Sequence, residues 1–287
     1  MQVDLVRIEA TDGLRLDGAW HAPQGANAGS RADGIVCLHG TGANFYTSTV
    51  FQHLTPSWVA AGMQVVWANT RGHDSISTAY LSRGRRRQGA AFEQFQESPH
   101  DLVGWAQFLK SRGCERIVYA GHSAGAVKAI YAEAVQPQPE ITGLLAISPP
   151  RLSYQHFTQS AQKGNFLDAY RRAELLVAAG EGDTLLEVTF PLTATISAAG
   201  YLEKYGPREE FNILNLLPRV TRPLLLTYGS IEVGREIAFE HMPQEILRAA
   251  RAEQDLSVHL IEGADHVYNG RYAELARAIG PWLQARA

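Results

Sequence analysis

Cysteine is scarce in this sequence: Cys37 and Cys114 are the only two among 287 residues. Two thiols do not make a disulfide framework. Cys37, inside the apolar run "DGIVCLHG", reads as a small buried residue. Long apolar stretches are missing too, since no run approaches the ~18 residues of a membrane helix. The opening "MQVDLVRIEATDG" alternates apolar and charged residues, unlike the basic-then-apolar run of a signal peptide. A large charge of either sign is absent as well. The formal net charge of -3 gives no electrostatic case for nucleic acid or an anionic membrane. Neither H-E-x-x-H nor GxxxxGK[ST] occurs, so no metal or other cofactor is implied. There is no internal repeat and no low-complexity linker. The expectation is a cytoplasmic protein that acts on a small molecule, with neither membrane nor nucleic acid as partner.

What is present is an ordinary globular balance, 45% hydrophobic and 19% charged. "DLVRIEA" and "LRLDGAWHAP" predict two strands joined by a turn at Asp12-Gly13. "DGIVCLHG", "MQVVWANTRGHD", "ERIVYAGHS" and "ITGLLAISPP" read as further strands, the first and last with buried-strand patterns. Between them "YTSTVFQHLTPSWVAAG", "FQESPHDLVGWAQFLKSRG" and "AGAVKAIYAEA" have helical apolar spacing. The alternation breaks from about Arg151 to Arg219, where helix-like pieces occur without a clear buried strand. It resumes with "RPLLLTYGS", "EIAFEHMPQEILRAARA", "LSVHLIEGADH" and "YAELARAIGPWLQARA". Alternating strands and helices predict an α/β fold, a mostly parallel central sheet with helices on both faces. Residues 1–150 and 220–287 would form that core, and 151–219 a small helical insertion over one end of the sheet.

One string carries chemistry: Gly121-His122-Ser123-Ala124-Gly125, a G-x-S-x-G between a strand and a helix. A strand that turns directly into a helix bends sharply, and the two glycines remove side chains that would collide. The serine hydroxyl is then exposed at the helix N-terminus, as in a nucleophile elbow. Such a hydroxyl needs a base, and the base needs an orienting acid. His266, just beyond the last strand in "GADHVYNG", is the candidate base. His122 lies inside the elbow and suits packing or hydrogen bonding, His39 suits shaping of the loop after its strand, and His73 and His241 suit solvated or structural roles. For the acid, Glu232 in "GSIE" stands just past the penultimate strand. Asp265 adjoins the base and fits a turn-stabilising role instead, and Asp74 fits loop anchoring.

The order Ser123, Glu232, His266, with "DGIVCLHGTG", "NTRGHD", "GHSAG", "GSIE" and "GADH", resembles the α/β-hydrolase superfamily over essentially the whole chain. Most members have Asp where Glu232 stands, so the glutamate is a departure. The resemblance implies an oxyanion hole from the backbone N–H groups of Thr41 and Ala124, and identifies 151–219 with the family's cap. Tyr154, Phe157, Phe190 and Tyr201 would either line the acyl pocket or pack the cap onto the core. Arg83, Arg85, Arg86 and Arg87 form either a solvated loop or a contact for an anionic or carrier-bound substrate. The implied activity is hydrolysis of a carboxylic ester, thioester or lactone through an acyl-enzyme. The alternatives are acyl transfer on the same fold and a non-catalytic small-molecule binding protein.

Overall fold

The computed structural model describes residues 3–26, 30–81 and 84–285. Strands β1 (Asp4–Glu9) and β2 (Arg15–His21) form an antiparallel pair. Then come β3 (Gly34–Leu38), helix α1 (Thr49–Ala60) and β4 (Gln64–Ala68). A separate hairpin, β5 (Ser77–Tyr80) with β6 (Arg85–Gln88), precedes α2 (Ser98–Ser111). The centre of the chain is β7 (Ile117–His122), α3 (Ala124–Val135) and β8 (Ile141–Ile147). After an interruption, β11 (Leu224–Gly229), α8 (Ser230–Arg235), α9 (Met242–Ala249), β12 (Leu256–Ile261) and α10 (Tyr272–Gln284) complete the fold. The eight-stranded sheet runs β1-β2-β4-β3-β7-β8-β11-β12, parallel from β4 onward.

Side-chain alternation in the strands builds a core on each face. Val36 and Leu38 of β3 and Ile117 and Tyr119 of β7 join Trp105 of α2 and Val127 and Ile130 of α3. Ile35, Cys37, Val118 and Ala120 point the other way, onto Phe51 and Trp58 of α1 and Ile279 and Leu283 of α10. In α1 the buried set Val50, Phe51, Leu54, Trp58 keeps the 3–4-residue spacing of one helical face. This is the expected α/β architecture, with helices on both faces of a mostly parallel sheet.

Three local expectations change. The segment between β8 and β11 is not wholly helical. Besides α4 (Tyr154–Gln159), α5 (Lys163–Ala178), α6 (Ala198–Tyr205) and α7 (Ile213–Leu216), it holds an antiparallel hairpin of β9 (Leu185–Val188) and β10 (Ala194–Ser197). Both strands are only four residues long with every second or paired side chain buried, too short for a visible run. Second, "EIAFEHMPQEILRAARA" forms a helix only from Met242. Pro243 lies in its first turn and His241 before it takes φ 58, which stops helix on the N-terminal side. Third, the basic stretch is strand β6 rather than a loop. Arg86 pairs with Glu97 at 2.6 Å, and Arg87 pairs with Asp183 at 2.9 Å while lying 4.5 Å over the Phe92 ring. Arg83 lies outside the described residues.

Candidate active site

Ser123 joins β7 to α3 with φ 56 and ψ -123. No helix or strand uses that conformation, and a non-glycine residue held there costs ~1–3 kcal/mol. The neighbours make it sterically feasible. A Cβ on Gly121 would stand 2.3 Å from the Gly125 carbonyl oxygen, and one on Gly125 would stand 2.2 Å from that of Leu38. Hence the serine turn can close tightly on itself and press against the end of β3. The Ser123 N–H continues the β8 ladder by donating to the Ile147 carbonyl at 2.8 Å, which fixes the elbow to the sheet.

Past the ends of β11 and β12, His266 Nδ1 lies 2.7 Å from Glu232 Oε2. Glu232 is fully buried. It belongs to the first turn of α8, three residues past the end of β11. Its Oε1 accepts from the Gly229 N–H at 2.7 Å and from the Ser148 hydroxyl at 2.5 Å. Ser148 also meets the Tyr268 hydroxyl at 3.0 Å, which in turn reaches Thr227 Oγ1 at 2.9 Å. No motif in the sequence marks Ser148 or Tyr268; both hold positive φ, 49 just after β8 and 59 in the loop between β12 and α10.

The other candidates have different neighbours. Asp265 accepts from the N–H groups of Val267 (3.1 Å) and Asn269 (2.9 Å), the turn role expected of it. His122 Nε2 donates to the His266 carbonyl at 2.8 Å, and burial first, then the nearby His266, lowers its pKa to about 3. His39 is buried between the Thr70 N–H, 3.1 Å from its Nε2, and the Gly40 carbonyl, 2.8 Å from its Nδ1. That pattern makes it a neutral ring protonated on Nδ1, and burial, reinforced by the Lys128 charge, lowers its pKa to about 4. Asp74 accepts from Asn44 Nδ2 (2.7 Å) and pairs with His73 (2.8 Å), anchoring the loop after β3. His241 is exposed.

A cavity of about 410 Å³ contains Ser123, His266, His122, Gly40 and Thr41 in its lining. The Thr41 N–H meets no acceptor among the described residues, and Ala124, as the first residue of α3, has no intrahelical acceptor. A Cβ on Gly40 would lie 3.1 Å from Ser123 Cβ, so the loop carrying Thr41 runs close against the serine. The opposite wall is β9–β10 with the end of α6, including Val188, Leu192, Thr195, Ile196, Lys204 and Tyr205. Tyr154, Phe157, Phe190 and Tyr201 do not line this cavity. They gather around Phe166 at ring separations of 5.5 to 6.2 Å, which settles them as packing within the inserted segment. Among the described residues no group of three or more His, Cys, Asp or Glu is arranged to hold a metal ion. Nor is any helix among them long and apolar enough to cross a membrane.

Sheet order, elbow and the pair beyond the last two strands define an α/β-hydrolase scaffold. Residues 35–278 match the alpha/beta hydrolase family, and the chain belongs to it. Among solved structures it is similar to Est1E from Butyrivibrio proteoclasticus with ferulic acid bound (TM-score 0.66, 15% identity, 96% of both chains covered). It is also similar to a Pyrococcus furiosus esterase (TM-score 0.60, 18% identity, covering 98% of this chain and 92% of that one). A third likeness is the esterase domain of a Rhodothermus marinus protein (TM-score 0.59, 18% identity, covering 99% and 98%). Nothing among curated proteins matches.

Proposed function

We propose that this protein is a serine hydrolase that cleaves a carboxylic ester, thioester or lactone through an acyl-enzyme on Ser123. The observation that carries the reading is that His266, which lines the same cavity as the strained serine, has its Nδ1 2.7 Å from the buried Glu232. With Nδ1 committed to the carboxylate, Nε2 is the nitrogen left to take the Ser123 proton. The serine oxygen then attacks the acyl carbon, and the oxyanion is met by the N–H groups of Thr41 and Ala124. Each such donor is worth ~3 kcal/mol of transition-state stabilisation. The imidazolium, stabilised by Glu232, returns its proton to the departing alkoxide or thiolate, and water repeats the sequence on the acyl-enzyme. Residues 1–150 and 220–287 supply this machinery, and 151–219 acts as a cap that shapes the acyl or alcohol pocket.

The test pairs labelling with turnover. A fluorophosphonate should add once to the wild-type protein, read as intact mass, and short p-nitrophenyl esters should be hydrolysed. Ser123→Ala should lose the adduct and lower ester turnover by ~10³-fold or more while remaining folded. An adduct that persists in Ser123→Ala overturns the assignment.

A further inference from the structure

The cavity beside Ser123 has an unusual electrostatic wall. Among its described lining residues Lys204 alone carries a formal charge; the rest are glycine, alanine, hydroxyl, aliphatic, tyrosine and histidine side chains. Lys204 projects from the last turn of α6, and its side chain is 6% exposed. Behind it Glu93 and Lys128 are more deeply enclosed, at 1% and 2%.

The carboxylate of Glu93 is divided unequally. Its Oε2 takes a direct bond from Lys128 Nζ at 2.5 Å, and Lys128 also donates to Thr70 Oγ1 at 3.0 Å. Lys204 Nζ stands 3.8 Å from Oε1, outside hydrogen-bond reach, and Oε1 accepts no bond. Glu203, the next carboxylate on α6, is engaged by the N–H groups of Phe95 (2.8 Å) and Gln96 (3.0 Å). His39, near the same cluster, is neutral. Glu203 still acts on Lys204 through space, but of the two buried lysines only Lys128 is hydrogen-bonded to a carboxylate, and the one that faces the cavity is held at the longer distance. Nζ rests 4.5 Å over the Phe95 ring, which fixes its position without spending a donor. Burial, opposed by Glu93, draws the Lys204 pKa below the usual lysine value, so a further anion at Nζ would stabilise the charged form.

We propose that Lys204 binds a carboxylate carried by the substrate, making esters that bear a free carboxylate the preferred class. The inference rests on the hydrolase reading above and names its substrate. The one cationic side chain in the lining matches a monoanion, and the three N–H donors of its ammonium suit carboxylate oxygens. Nζ keeps Glu93 at 3.8 Å and faces the cavity, so a carboxylate arriving there would meet its free donors without displacing a closer partner among the described residues. The neighbouring Val188, Leu192 and Ile196 would take the methylene chain between the two carbonyl carbons.

The experiment compares p-nitrophenyl half-esters of succinate, glutarate and adipate with their methyl-capped counterparts, after subtraction of uncatalysed hydrolysis. A second pair, 4-butyryloxybenzoate and its methyl ester, puts the carboxylate on the leaving group. Wild type should favour the acid over its capped partner in kcat/KM in at least one pair, by roughly 10- to 100-fold, the worth of a hydrogen bond to a buried charge. Lys204→Met should bring that ratio to about 1 or below, and Lys204→Arg should retain part of it. Should Lys204→Met fail to fold, protection of wild-type Ser123 from fluorophosphonate by free glutarate, and not by its dimethyl ester, serves in its place. Capped esters preferred in every pair, or a ratio unchanged in Lys204→Met, overturns the proposal. Loss of turnover and labelling with all esters would instead strike at the hydrolase reading itself.

Discussion

Glu232 differs from Asp265 in where its oxygens go. Oε1 is an obligate acceptor, since the Gly229 N–H and the Ser148 hydroxyl both aim at it, and Oε2 receives His266 Nδ1. In Glu232→Gln the amide oxygen should therefore take the Oε1 position and turn the NH2 toward the histidine. Nδ1 must then accept, the ring proton moves to Nε2, and His266 cannot take the Ser123 proton. The expected loss in kcat is up to ~10⁴, the scale of the wrong-tautomer effect in a serine-protease triad. Asp265→Asn keeps an oxygen for Val267 and Asn269 and should lose less than about tenfold. Steady-state kinetics on one ester, with thermal unfolding as a control for folding, ranks the two; the reverse order would move the acid to Asp265. As candidates Ser123, Glu232 and His266 were legible in the sequence because each lies within five residues of a strand's carboxyl end, where a parallel sheet places its chemistry. Ser148, Glu93 and Lys204 were not, because each acts on a group more than 80 positions away and no local string records that. The arginines Arg85, Arg86 and Arg87 stand out in the sequence as a basic cluster, yet the cation in the cavity lining is Lys204.

The inserted segment has two structural jobs divided between two elements. Its aromatic cluster around Phe166 is buried away from the serine, while the β9–β10 hairpin faces it. The two should respond differently to substitution. Phe166→Leu should lower stability by about 1–3 kcal/mol, through a cavity and lost ring contacts, and leave the ranking of acyl chain lengths unchanged. Leu192→Ala and Leu192→Phe, in the hairpin turn that borders the cavity, should shift that ranking in opposite directions at little cost in stability. Urea unfolding together with kcat/KM over a C2–C10 ester series separates the two. If Leu192 variants change all chain lengths by one common factor, the hairpin is not the pocket wall. The sequence hid this division because aromatic residues are the conspicuous ones, whereas the hairpin meets the cavity with Val188, Leu192, Thr193, Ala194, Thr195 and Ile196 and turns Phe190 toward Phe166. A four-residue strand offers two side chains per face, too few for alternation to stand out from chance.

Over the whole molecule, the sheet and its helices were readable because strand and helix patterns alternate through both halves of the core, and each half repeats the rule that apolar strands lie inside. What sequence cannot show is which polar groups that burial traps. His21, His39 and His122 are 2%, 2% and 8% exposed, and burial is the first cause that lowers their pKa values to about 4, about 4 and about 3. In the unfolded chain each would titrate near 6.5. From about pH 6.5 down to 5 the unfolded state therefore binds up to three protons that the folded state refuses, and acid favours unfolding. Glu133 works the other way, since burial pushes its carboxyl up to about 7, so that the folded state holds a proton the unfolded one has released. Glu203 and Glu236, also raised by burial, add to this offset, and His156, lowered by burial, adds to the loss. The three withheld histidine protons leave a net stability loss on acidification, at about 1.4 kcal/mol per pH unit for each uncompensated proton. Urea midpoints measured from pH 7.5 to 5 should fall accordingly; a flat or rising profile would refute the account. His21 isolates one of the three protons. Both its ring nitrogens are buried without a partner, and the ring lies 4.4 Å from Trp67 on an apolar face. His21→Phe keeps an aromatic ring there and removes two unsatisfied nitrogens, so it should not be destabilising at pH 7.5 beyond a small repacking cost. At pH 5 it should be the more stable protein, because its unfolded chain has lost one proton-binding site. An unchanged pH slope in His21→Phe would mean that His21 is protonated inside the folded protein, contrary to its burial.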